Sequence, residues 1–191
     1  MTSDTATLVS LLGNFTPDGK QEIADHELFL ERARDPINLT RESDAHFTAS
    51  AFVLNQDHTK VLAIFHNIYQ SWGWMGGHAD GDPDLLHVAE KEAEEESGVS
   101  HLKLLHPAPI SIESIPVLAH VRRGVPVSEH THLNVTFLFQ AEDSADLRIQ
   151  PDENSGVKWI FLNEFIAASL EPHMQAIYQK IIDRIQNGGV K

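Results

Sequence analysis

Apolar residues recur along the chain at two different spacings. In the first stretch, Leu8, Leu11 and Leu12 fall at helical intervals, and Ile23, Leu28 and Leu30 do so less regularly. The spacing predicts helices over 3–13 and 18–34, with Pro17-Asp18-Gly19 as punctuation and Pro36 closing the region. Residues 46–54, HFTASAFVL, are rich in β-branched and aromatic types and predict a strand. Asn55-Gln56-Asp57-His58 predicts a turn. Residues 60–66, KVLAIFH, are nearly all apolar, as a strand buried on both faces requires, so the two strands form an early hairpin. A helix is expected over 83–97, with Asp82 as N-cap, Pro83 at the first helical position and Gly98 just past the end.

Strands are then expected at 101–106, 110–121, 132–141 and 157–162. Asn163 is placed to cap a short helix at 164–170, and Ile177, Ile181 and Ile185 mark a terminal amphipathic helix over 173–187. No internal repeat or low-complexity tract interrupts the order. Strands and helices alternate without a regular βαβ repeat, which implies an α/β sandwich around one sheet system. The division expected is a helical N-terminal extension, 1–36, followed by one domain, 37–191.

The helix over 83–97 carries the most informative pattern. Taking Leu85 as zero and about 100° per residue, Ala89, Glu92 and Glu96 all fall within roughly 40° of it. Glu95 flanks this stripe beside Val88, while His87, Glu90, Lys91 and Glu94 face outward. Two glutamates thus continue the face directed at the protein. Like charges four residues apart repel, and burial of unpaired carboxylates is unfavourable. A hard divalent cation resolves the conflict: Mg²⁺ or Mn²⁺ takes carboxylate and carbonyl oxygens and leaves room for phosphate. Gly76-Gly77, just before this helix, allows backbone groups to approach a ligand.

Charge and composition narrow the partners. The chain of 191 residues has a formal net charge of −14, which excludes a nucleic-acid surface built on clustered Lys and Arg. It does not exclude a small phosphorylated ligand, since a bound divalent ion supplies positive charge locally. No cysteine is present, so disulfides, cysteine-ligated zinc and a cysteine nucleophile are excluded. No apolar run approaches the ~20 residues that span a bilayer. No basic segment followed by an apolar stretch opens the chain, and the expected location is the cytoplasm.

The segment GWMGGHADGDPDLLHVAEKEAEEESGV, 73–99, resembles the signature of the Nudix hydrolases: Gly, five residues, Glu, seven residues, Arg-Glu, an aliphatic residue, any residue, Glu-Glu, any residue, Gly, and an aliphatic residue. Gly77, Glu92, Glu95, Glu96, Gly98 and Val99 match in register, with Ala93 at the aliphatic position. GGHADGDPDLL is similar to a subgroup of the family whose substrates are mostly unassigned. Two positions depart: Pro83 stands at the first glutamate and Lys91 at the arginine. The resemblance implies a Nudix-like α/β/α sandwich with a mixed sheet. It implies Mg²⁺- or Mn²⁺-dependent hydrolysis of a diphosphate in a nucleoside diphosphate-X type of substrate. By position, Glu92, Glu95 and Glu96 would hold the metal with the Gly76 carbonyl. Glu92 and Glu95 on the helix, or Glu153 in the loop QPDENSGVKW, would serve in catalysis, with Glu92 and Glu153 the candidate bases. Glu153 also reads, and more simply, as an ordinary loop acid.

Other residues keep two readings. Alternation along HTHLNVTFLF, 130–139, puts His130, His132, Asn134 and Thr136 on one face and Leu133, Val135, Phe137 and Phe139 on the other. The polar face either lines a substrate cleft, with His130 and His132 on phosphate or metal, or is a solvated sheet surface. His78 is either a substrate contact or a loop histidine. Trp72 and Trp74 either stack on a base or pack the core. Arg122-Arg123 bind phosphate or end a hairpin. An isopentenyl-diphosphate isomerase, which is similar in fold, is set aside because its chemistry is associated with a cysteine. A Nudix-like binding or sensor module is the rival outside enzymology, supported by Pro83 and Lys91. The helical ends either pack on the core or build a homodimer interface.

Overall fold

The computed structural model describes residues 3–122, 124–144 and 146–188. Two helices, α1 (Ser3–Gly13) and α2 (Gly19–Arg32), precede a 3-10 turn, Pro36–Leu39. Four strands follow: β1 (Ala45–Leu54), β2 (Lys60–His66), β3 (Ser71–Gly73) and β4 (Met75–His78). Helix α3 (Leu85–Ser97) leads to β5 (Lys103–Leu104), β6 (Ser111–Val117), β7 (His120–Arg122), β8 (Val125–Val127) and β9 (His130–Gln140). Strand β10 (Asn154–Phe161), α4 (Leu162–Ala168) and α5 (Pro172–Gln186) complete the order.

Eight strands form one mixed sheet whose spine runs β10-β2-β1-β9-β5, with β3 on β2, β4 on β1 and β6 on β9. The parallel pair β1–β9 stays in register over ten residues, from Ala45↔Thr131 to Leu54↔Gln140. Strands β1 and β2 are antiparallel, as the hairpin requires. Phe47, Ala49, Ala51 and Val53 belong to a core shared with α1, α2 and α3, represented by Leu8, Phe29, Leu85 and Ala93. Phe52 and Leu54, on the other face, pack with Phe165 of α4 and Met174, Tyr178 and Ile181 of α5. Helices thus cover both faces, and the fold is the expected α/β/α sandwich.

Several boundaries differ from the pattern in the chain. Helix α3 starts at Leu85; Asp84 is its cap, accepting the His87 N–H at 3.1 Å. Asp82 instead accepts the Asp84 N–H at 2.9 Å and holds the His87 ring, so Pro83 lies outside the helix. The end behaves as expected: Gly98 is left-handed at φ 72° and its N–H reaches the Glu94 carbonyl. The stretch 110–121 is broken after Val117, because β7 leaves the main sheet to pair with β8. Helix α4 begins at Leu162, with Phe161 and not Asn163 at its cap. Strand β9 begins two residues early, at His130, and β10 three early, at Asn154.

In α2 the inward face also differs. Ile23 is 46% exposed, while Glu22 and Asp25 are buried with Phe29. Glu22 is held by α5: Arg184 Nη1 donates to Oε1 at 2.9 Å, Arg184 Nη2 to Oε2 at 2.5 Å, and Lys180 Nζ to Oε1 at 2.9 Å. Lys180 also pairs with the buried Glu113 at 2.6 Å. No periodicity in α2 announces a partner from the far end of the chain.

Candidate active site

The loop from β4 to α3 builds the first part of the site. Strand β4 lies antiparallel on β1, with Gly76 opposite Ser50 and Gly77 opposite Ala49. A side chain at Gly76 would meet the Ala49 carbonyl at 2.6 Å, so only glycine lets the strands approach this closely. A Cβ at Gly77 would lie closer than 3 Å to the Glu92 carboxyl group. The glycine pair is therefore a cradle into which α3 sets its carboxylates.

Helix α3 presents the glutamates as its wheel requires. Glu96 is 2% exposed, and Oε2 accepts the Gly76 N–H at 2.9 Å. The Glu92 side chain is 16% exposed, and that of Glu95 is 54% exposed. Lys91, at the signature's arginine position, lies 3.7 Å from Glu92 Oε1 and 3.6 Å from Glu95 Oε2. Glu153 joins them from the turn before β10. Asn154 donates its side-chain N–H to the Glu96 carbonyl at 2.8 Å, tying that turn to the end of α3. The Glu153 carboxyl lies close enough to the Glu96 side chain to disfavour its ionised form. Glu92, Glu95 and Glu153 line one cavity of about 180 Å³ with Arg41, Gly76, Gly77, His78 and Gln150.

The electrostatics follow from this crowding. Burial pushes the Glu96 carboxyl well above its ordinary range; the Gly76 N–H opposes this, while Glu153 and Glu92 add to it. Burial also raises Glu92, against the Lys91 ammonium, with Glu95 and Glu153 contributing further. Hard oxygens packed against one another fit Mg²⁺ or Mn²⁺ by donor chemistry. Arg41 has no motif to mark it in the chain. It lies in the same cavity, held by a bidentate pair to Asp80 at 2.7 Å for both contacts.

A second, larger cavity of about 460 Å³ shares Gly76, Gly77 and His78 with the first. Its walls include Trp74, Tyr178, Ile115 and Met174, with Thr48, Ser50, His132 and Asn134 from the sheet. Part of the polar face of β9 is thus turned to a cleft: His132 and Asn134 line it, Asn134 Oδ1 accepts from Thr48 at 3.0 Å and Ser50 at 2.8 Å, and Thr136 is buried. His78, His130 and His132 come together, joined by His46, which the pattern in the chain did not single out. Alternation through HFTASAFVL places His46, Thr48 and Ser50 on one face, but only the β1–β9 register puts His46 opposite His132. Trp74 packs edge-on against Tyr178 at the cavity wall. Trp72 packs against Phe65, with the Lys158 ammonium 4.2 Å from its ring centre. Arg123 lies outside the described residues, and for Arg122 only the backbone is described.

The site is thus a glycine cradle under a glutamate-bearing helix, set in a mixed sheet between helices. The NUDIX domain model matches residues 44–184, and the chain belongs to the Nudix hydrolase family, a pyrophosphohydrolase by class. A search of curated proteins finds no match. Among solved structures, a C. elegans Ap4A hydrolase binary complex is similar at 18% identity and TM-score 0.55, over 74% of this chain and 98% of that one. The E. coli dihydroneopterin triphosphate pyrophosphohydrolase is similar at 17% identity and TM-score 0.54, over 72% and 95%. The NUDIX domain of Shewanella oneidensis NrtR, complexed with ADP ribose, gives 18% identity and TM-score 0.52, over 73% and 87%. These likenesses concern the fold. Among the described residues, no helix is long and apolar enough to cross a membrane.

Proposed function

We propose that the chain is a divalent-cation-dependent hydrolase that cleaves the diphosphate linkage of a nucleoside diphosphate-X type of substrate by attack of water on phosphorus. The observation that carries this reading is the convergence of Glu92, Glu95, Glu96 and Glu153 at the Gly76-Gly77 cradle, next to a cavity large enough for an organic group. Glu92, Glu95 and Glu96, with the Gly76 carbonyl, would hold Mg²⁺ or Mn²⁺. When bound, such an ion polarises a phosphoryl oxygen and lowers the pKa of a water molecule.

The chain's own groups do the rest. Lys91 keeps Glu92 and Glu95 directed along one side of α3. Glu153, on a separate element and in the same cavity, takes the proton of the attacking water; Glu92 is the alternative base on the helix. Arg41 supplies a fixed cation at the rim for substrate phosphate. The larger cavity, with Trp74, receives the group attached to the diphosphate. Ap4A, ADP ribose and dihydroneopterin triphosphate, named for the similar structures, each join phosphoanhydride to a bulky organic group, as this pairing of cavities suits.

The test is a product screen. Purified protein is incubated with nucleotide sugars, dinucleoside polyphosphates, nucleoside triphosphates and non-nucleotide diphosphates, with Mg²⁺ or Mn²⁺ and with EDTA as control. Cleavage that needs metal and disappears in Glu96→Gln supports the hydrolase and names its substrate class. Absence of turnover across the panel, with ligand binding retained, overturns it in favour of a binding module and directs attention to Pro83 and Lys91.

A further inference from the structure

We propose a second metal centre: His46, His78, His130 and His132 bind one transition-metal ion of the zinc type through four imidazole nitrogens. It goes beyond the carboxylate site, uses different residues and selects a different kind of ion.

The geometry is that of a pre-assembled ligand set. The β1–β9 register places His46 opposite His132, β9 alternation places His130 on the same face, and the β1–β4 register brings His78 opposite Thr48. One ring nitrogen from each histidine falls within 4.8 Å of the others. The Nε2 atoms of His130 and His132 are 3.1 Å apart. Tetrahedral zinc with Zn–N of ~2.0–2.1 Å separates its donors by about 3.4 Å, so the set closes on an ion by small ring movements.

The outer contacts fix which nitrogen faces inward. His46 Nδ1 is 3.0 Å from the Ser43 carbonyl, and His130 Nδ1 is 2.8 Å from the Ser128 carbonyl. A carbonyl only accepts, so each Nδ1 carries the proton and each Nε2 presents a lone pair. Metal-bound histidines are oriented in this way by backbone carbonyls. His46 is 3% exposed, and its Nε2 is buried without a hydrogen-bond partner. A buried acceptor in that state is unfavourable, and a metal ion satisfies it.

Four imidazoles without a carboxylate suit zinc, copper, nickel or cobalt, whereas the hard oxygens below Gly76-Gly77 suit magnesium or manganese. Four protein ligands leave no open position, so the ion is structural. It joins β1, β4 and β9 at one end of the sheet. It also sets positive charge against the cavity wall shared by His78 and His132, where an anionic substrate enters.

The test uses the untagged full chain, stripped with chelator. Zn²⁺ affinity is measured by competition with a chromophoric chelator, and Co²⁺ is added for its visible ligand-field bands. The expected result is one tight site per chain, unaffected by millimolar Mg²⁺ and by Glu96→Gln. Intense cobalt bands of tetrahedral type are expected with it. His46→Gln and His130→Ala should each weaken binding at least about 100-fold, beyond the loss of an outer contact. His130 lies at the rim of the cluster, so His130→Ala serves if His46→Gln fails to fold, with circular dichroism as the check. Binding unchanged in the histidine variants overturns the proposal, as does binding lost in Glu96→Gln alone. Both results are independent of whether any diphosphate is cleaved.

Discussion

Replacing Gly77 by alanine isolates the cradle from the fold. The added Cβ would sit 2.3 Å from Glu92 Cδ and 2.6 and 2.7 Å from its oxygens, against an ordinary contact of 3.4–4 Å. The carboxyl must therefore retreat by about 1 Å or more. Glu92 is the far end of a flexible side chain, so the fold yields there cheaply. Gly77 is not among the residues with positive φ, so its backbone accepts alanine. A misplacement of ~1 Å at a reacting centre lowers a rate roughly 100-fold, about 2.7 kcal/mol of barrier. The expectation for Gly77→Ala is a turnover loss of that order and weakened Mn²⁺ binding by EPR, with a melting temperature within a few degrees of the parent. Gly76→Ala is the contrast. Its Cβ would meet backbone, the Ala49 carbonyl at 2.6 Å and Ser50 Cα at 3.0 Å, so it should lower stability by ~1–3 kcal/mol. Turnover and Mn²⁺ binding near parental levels in Gly77→Ala would refute the placing of Glu92 at the site.

Two further outcomes are expected. Glu153→Gln should reduce kcat by about 10²–10⁴-fold while Mn²⁺ binding persists, measured by EPR and steady-state kinetics; a parental kcat removes Glu153 as the base and returns that role to Glu92. Glu22→Gln should cost roughly 3 kcal/mol in urea unfolding at pH 7, because the Arg184 guanidinium loses its buried carboxylate partner while Lys180 keeps only Glu113. Burial alone would raise the Glu22 carboxyl, but Arg184, the Asp18 N–H and Lys180 together hold it below its ordinary 4.5. Its contribution is thus complete above pH 4.5 and lost as pH falls through the lowered value. The difference between parent and variant should shrink in acid, and a pH-independent difference would refute the assignment.

Local periodicity determined much of this protein. The strands β1 and β2 follow from runs of β-branched, aromatic and apolar residues, β9 from alternation, the stripe of Glu92 and Glu96 on α3 from the 3.6-residue repeat and the left-handed stop at Gly98 from turn chemistry, all of which act over a few residues. The spacing from Gly77 to Val99 also carried the family. Tertiary structure decided what depends on distant partners. Glu22 is buried and Ile23 exposed because Arg184 lies across from α2. Pro83 falls outside α3 because Asp84 wins the competition to cap it. Glu153 comes near Glu96 because Asn154 and Arg148 tie its segment to the end of α3 and Asn67 holds its turn. Arg41 and His46 join their clusters through strand register and chain return, which no window of neighbouring residues encodes. A repeat reports which face a residue takes, and only the assembled sheet determines what that face meets.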